Sequence, residues 1–255
     1  GIDITVLVKE NNIWVYLPVK DILIKSTNPK KDTKKAVTSG LTVESCKTNI
    51  ENGAIEVEYL INAKPEDKPE TENQYENLEY NKEVGKKVNN ILKVLQRVLF
   101  SIKEPESFNH TFLNLIIADI KSGIVVKQIL YYMDLKKFFY GRISAEELQE
   151  RIIQRVSIVN EIIDDKSGVT ILSKAENIKM KDFIAAQIKQ RIELKFAKLT
   201  GKEQEINTDE QVRNIVIAAI KNYEFYDFTE IKLRNNLTEG FIYINKAAAL
   251  ETPDN

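Results

Sequence analysis

The chain has 255 residues, 43% hydrophobic and 29% charged, which suits one large folded domain or two smaller ones, each with a real core. Its formal net charge of -1 creates no overall field toward nucleic acid or anionic lipid and leaves only a local basic patch for such roles. Cys46 is the only cysteine and His110 the only histidine, which excludes an internal disulfide framework and any multi-cysteine metal site.

The N-terminal block begins with Ile2, Ile4, Val6 and Val8 in alternation, then Glu10-Asn11-Asn12, then Ile13-Trp14-Val15-Tyr16-Leu17. Two β-rich runs around an Asn-containing tip predict a hairpin. Pro18 lacks a ladder donor and should end the second strand or hold it at an edge. Ile22-Leu23-Ile24 suggests a third strand, followed by a polar loop over residues 26–35. That loop and its flank carry Lys25, Lys30, Lys31, Lys34 and Lys35, a solvated basic segment able to meet phosphate or acidic lipid. Strands should resume at Leu41–Glu44 and Ala54–Ile61, where Ile55, Val57 and Tyr59 alternate with Glu56 and Glu58. Such alternation implies one wet face and favours antiparallel pairing.

Residues 63–83 contain Pro65, Pro69 and many Glu, Asn and Lys. Their low apolar content predicts a linker or long loop. From Val84 the apolar period becomes 3.6, with Val84, Val88, Leu92, Leu95 and Leu99 on one stripe. Further helices are expected from Ser107 onward, carrying Phe108, Phe112, Leu115 and Ile116, and from Gly123 to Gly141, carrying Ile124, Ile129, Leu130, Met133 and Phe138. Ser144-Ala-Glu-Glu147 reads as a capping box for a helix running to about 165. A short strand at Val169–Leu172 and a helix over Ile178–Leu199 follow. Thr208-Asp-Glu-Gln211 opens a helix to about Tyr223, and a last hairpin joins Ile231–Arg234 to Phe241–Ile244. The tail 247–255 reads as frayed.

The fold class expected is therefore α+β: a small antiparallel β-rich N-terminal module, then a larger, mainly α-helical domain with a C-terminal β-hairpin. The matching domain reading is a β-rich module at 1–62, a polar linker at 63–83, a helical domain at 84–246 and a tail at 247–255. No apolar run is long enough to span a bilayer. A soluble domain is expected, with the cytoplasm as the favoured compartment. Gly1 leaves room for a removed leader or anchor. The abundance of Lys, Ile and Asn fits an AT-rich genome.

The chain carries no phosphate-cradling loop, dinucleotide fingerprint, serine elbow or His-Glu-x-x-His pattern. A Ser-His-Asp or Cys-His machine would have to use His110, and Cys46 has only Lys47 as a basic neighbour, which suits a buried structural thiol. No catalytic, cofactor or metal residues are assigned. Glu193-Leu-Lys195 and Glu230-Ile-Lys232 have the carboxylate-x-lysine spacing of metal-dependent nucleases. That spacing converges only on a strand, because residues two apart diverge on a helix. Aromatic clusters at Tyr131, Tyr132, Phe138, Phe139 and Tyr140, and at Tyr223, Phe225, Tyr226 and Phe228, read as core or partner contacts.

The element order over 145–245 also matches a winged helix, whose reading helix would be 208–222. On that alternative Arg213, Lys221, Lys232 and Arg234 would meet nucleic acid. The reading preferred here is a non-catalytic assembly, adaptor or scaffold protein, bound to another protein or to itself through helix faces or an exposed β edge. A divergent metal-dependent nuclease is the second alternative.

Overall fold

The computed structural model describes residues 4–25, 41–63, 78–101, 112–158, 172, 176–199 and 206–251. His110, the loop at 26–35, most of the expected linker and all but Leu172 of the strand expected at Val169–Leu172 lie outside them. Two compact units emerge, each built from two chain segments: residues 1–31 with 72–178, and 32–71 with 179–255.

The first unit holds β1 (Thr5–Lys9), β2 (Asn12–Val19), β3 (Leu23–Lys25), β6 (Leu78–Tyr80), α1 (Lys82–Ser101), β7 (Phe112–Asp119), β8 (Ile124–Tyr131), α2 (Tyr132–Phe139), α3 (Ala145–Arg151) and β9 (Ile153–Ile158). Its main sheet runs β1-β2-β7-β8-β9, with β2 parallel to β7 and the other pairs antiparallel. Val15, Leu17, Leu113, Leu115 and Leu130 form one core with Val84 and Val88 of α1. Trp14, Tyr16, Ile116 and Val125 form a second with Leu172, against which Ile178 packs. The Lys127 ammonium sits 4.8 Å from the centre of the Trp14 ring. The same unit carries a one-way amide chain: Asn114 donates to Asn12, Asn12 to Asn177, and Asn177 to the Glu10 carboxylate. Asp119, fully buried, accepts backbone N–H groups from Ile22 at 2.8 Å, Lys121 at 3.0 Å, and Asp21 and Ser122 at 3.3 Å. Burial alone would raise its pKa; the backbone bonds outweigh burial and hold the carboxyl below its ordinary range. Arg151 of α3 bonds buried Asp134 of α2 at 2.8 Å and also reaches Glu147, tying the two short helices together.

The second unit holds β4 (Leu41–Glu51), β5 (Ala54–Ala63), α4 (Met180–Lys198), α5 (Thr208–Lys221), β10 (Glu230–Asn235), β11 (Gly240–Asn245) and α6 (Lys246–Glu251). Its sheet runs β11-β10-β5-β4, with β10 parallel to β5 and the outer pairs antiparallel. Ile55, Val57 and Tyr59 of β5, with Ile231 and Leu233 of β10, are buried. So are Phe183, Ile184, Ile188, Ile192 and Phe196 of α4 and Val212, Val216 and Ile220 of α5, the apolar stripes of the two long helices. At the β4–β5 turn, Gly53 adopts φ +80, a left-handed conformation that glycine enters without a Cβ penalty.

These sheets overturn the expected architecture. The structure is α+β, but strands are spread along the chain, and no separate N-terminal β module precedes a mainly helical domain. β1 and β2 join one mixed sheet, β4 and β5 the other, and both sheets need later strands. Residues 112–119 and 124–131 are strands where helices were expected. Every residue of β7 is buried, so the run lacks the alternation that marks a half-wet strand and resembles one side of a helix. The helix expected over 145–165 stops at Arg151; Ile152 is extended, and β-branched residues continue into β9. Ser144 caps α3, accepting from the Glu147 N–H at 3.1 Å, while the Glu147 carboxylate, expected to complete the capping box, accepts from Arg151. At α5 the cap is Asn207, one residue before Thr208, accepting from the Glu210 N–H. The tail begins with helix α6.

Candidate protein-binding face

The outer side of the second unit's sheet is set by strand alternation. In β11, Ile242 and Ile244 point inward with Leu233 and Ile231, their register partners, so Phe241, Tyr243 and Asn245 point outward. Phe241 is 56% and Tyr243 65% exposed. Their rings are stacked, with centroids 6.3 Å apart and planes 14° from parallel. The Arg234 guanidinium lies 5.4 Å from the Phe241 ring centre.

Three cross-strand rows build the face. The first is Phe241, Arg234, Glu58 and Lys47; the second is Tyr243, Lys232, Glu56 and Asn49; the third is Asn245, Glu230, Ala54 and Glu51. Arg234 pairs with Glu58 at 3.6 Å, and Lys232 with Glu56 at 3.4 Å and Glu230 at 3.1 Å. The Glu230 bond, then the Glu56 bond, raises the Lys232 pKa, so it stays charged. Each pair is partly exposed, and solvent screening leaves it little weight in stability. Their larger consequence is local charge: Lys47, Lys232 and Arg234 face Glu51, Glu56, Glu58 and Glu230, close to neutrality.

A buried network on the inner side fixes this hairpin. Tyr59 Oη donates to Asp209 Oδ1 at 2.8 Å, and Asn235 Nδ2 donates to the same oxygen at 2.7 Å. Asn235 Oδ1 accepts the Leu237 N–H at 2.9 Å, setting the turn from β10 into β11. Burial, then the bond to Asp209, pushes the Tyr59 phenol well above its ordinary pKa. The N-terminus of α5 thus holds the strand end that carries Arg234.

The four basic residues proposed for nucleic acid do not form one cluster. Lys232 and Arg234 share the outer face, whereas Arg213 and Lys221 lie on α5, whose N-terminus bonds to the inner face. Residues 145–178 belong to the first unit and 179–245 to the second, so the winged-helix element order is not a single module. Glu230 and Lys232 do converge on one face of β10, while Asp227 pairs with Lys246 at 3.2 Å. Glu193 and Lys195 lie on helix α4. Among the described residues, no group of three or more His, Cys, Asp or Glu is placed to hold a metal ion. Cys46 is buried on β4; burial, then Glu193, raises its thiol pKa to about 11. Among the described residues, no helix is long and apolar enough to cross a membrane.

Phe241 and Tyr243 are not among the candidate site residues expected from the sequence. The signal available was an aromatic on each outward position of a strand whose inward positions were already filled by isoleucines. No protein family, curated protein or solved structure matches this chain.

Proposed function

We propose that this protein is a non-catalytic assembly, adaptor or scaffold component that binds a protein partner through the outer face of β11, β10, β5 and β4. The observation that carries this reading is the exposed, stacked Phe241–Tyr243 pair beside Arg234. Aromatic residues and arginine are the side chains that anchor protein interfaces, and the aromatic rings bring large contact area for little entropy loss. Among the described residues β11 is also an edge strand, the position at which an incoming strand can add to a sheet.

Nucleic-acid binding is the second reading, because Lys232 and Arg234 lie beside exposed aromatic rings on which bases could stack. Against it stands the near-neutral charge of the face, since phosphate contact needs uncompensated Lys and Arg. A fluorescence anisotropy titration with a mixed-sequence DNA duplex, at low and physiological salt, separates the two. The protein-binding reading expects nothing tighter than the roughly micromolar range of nonspecific contact. Submicromolar, salt-sensitive binding that disappears when Arg213, Lys221, Lys232 and Arg234 are changed to Ala would replace it with the nucleic-acid reading.

A further inference from the structure

We propose that the occupant of this face is a second copy of the same chain, packed face to face about a two-fold axis parallel to the strands. The inference rests on the protein-binding reading and adds the identity of the partner. A closed two-fold interface requires a self-complementary surface, and the rows of this sheet supply one.

An axis lying in the interface between β10 and β5 reverses strand order and keeps each row in place. β11 then lies over β4 of the other copy, and β10 over its β5. In the first row, Arg234 meets Glu58 of the other copy and Phe241 meets Lys47, a cation over a ring. In the second, Lys232 meets Glu56 and Tyr243 meets Asn49. In the third, Asn245 meets Glu51, an amide donor on a carboxylate, and Glu230 meets Ala54. No row places like charges together. The other in-plane axis, perpendicular to the strands, would set Lys232 over Lys232 and Glu56 over Glu56. Charge therefore selects one of the two symmetric arrangements.

The footprint sets the strength. Four strands at about 4.8 Å and six residues at about 3.3 Å give a patch roughly 20 Å on each side. Two copies would bury on the order of 800 Å² together, below the roughly 1,200 Å² of a standard interface. The dimer is thus weak and reversible, and it weakens several-fold in 1 M salt as its ion pairs are screened.

The test is analytical ultracentrifugation of the full chain up to about 1 mM, with Glu58→Arg and Arg234→Glu as separate variants. Both positions are more than 40% exposed, so circular dichroism should show both variants folded. Wild type should rise from 29.3 kDa toward twice that mass. Each variant alone should stay monomeric, because its own copies then face like charges. An equal mixture should dimerise, since Arg234 of the first variant meets Glu58 of the second and the two introduced side chains also meet as opposite charges. Monomeric wild type over the whole range, variants that dimerise as well as wild type, or a mixture that stays monomeric would each overturn the proposal. If wild type stays monomeric while a photoreactive group at Phe241 still captures a different protein, self-association falls and the protein-binding reading stands.

Discussion

Changing Tyr59 to Phe removes one hydroxyl from the network that anchors the β10–β11 hairpin and leaves the ring in its pocket. Tyr59 is 1% exposed and donates to Asp209 at 2.8 Å. A hydrogen bond to a charged acceptor contributes roughly 1.5–3 kcal/mol, so the variant should lose about 2 kcal/mol near neutral pH. The loss should also depend on pH in a defined direction. Burial and Asp209 raise the Tyr59 pKa in the folded state, whereas an unfolded tyrosine titrates near pH 10. The contribution is therefore complete below about pH 10 and declines above it, because only the unfolded state can release the proton. The decline follows about 1.4 kcal/mol per pH unit, so the two proteins should become nearly equal in stability near pH 11.5. Urea denaturation of both proteins at pH 7, 10 and 11, followed by circular dichroism, measures this difference and cancels the other tyrosines. A loss below about 0.5 kcal/mol at pH 7, or a difference independent of pH up to 11, would refute the network as described.

Changing Asp119 to Ala should destabilise the first unit by about 3–5 kcal/mol, since four backbone donors lose a charged acceptor. Trp14, the only tryptophan, lies in the same unit and reports that loss by fluorescence. Because the Asp119 pKa is depressed, its contribution is present above about pH 4 and is lost as pH falls through the folded value. Cys46, buried and with a pKa of about 11, should resist iodoacetamide in the native protein at pH 8 and react on unfolding in urea. Rapid native labelling would contradict its placement.

The legible parts of the fold are those where one face is wet. The alternation of Ile55, Val57 and Tyr59 with Glu56 and Glu58 marks β5, and apolar stripes mark α1, α4 and α5. A fully buried segment carries no such contrast, and β7 reads as a helix for that reason; β8 is buried at both ends and partly exposed between, again without strict alternation. Parallel pairing is also hidden: β10 lies beside β5 although Lys232 and Glu56 are far apart in sequence. The candidate face shares that cause. Lys232 and Arg234 were visible as cations, but their carboxylate partners and the flanking rings belong to other strands. Without those partners the two residues read as a basic patch; with them they form a near-neutral, aromatic-rimmed surface.

If the outer face of β11 and β10 contacts protein, a photoreactive phenylalanine analogue in place of Phe241 should capture the partner. The analogue is placed in the full chain expressed in its native cells, and the adducts are resolved by mass spectrometry. Protein contact there predicts one dominant protein adduct, a second copy or another chain, which is lost on adding Arg234→Glu and absent when the same group replaces Phe225 outside the sheet. Adducts to nucleic acid, or no adduct from Phe241 when Phe225 gives one, would contradict it.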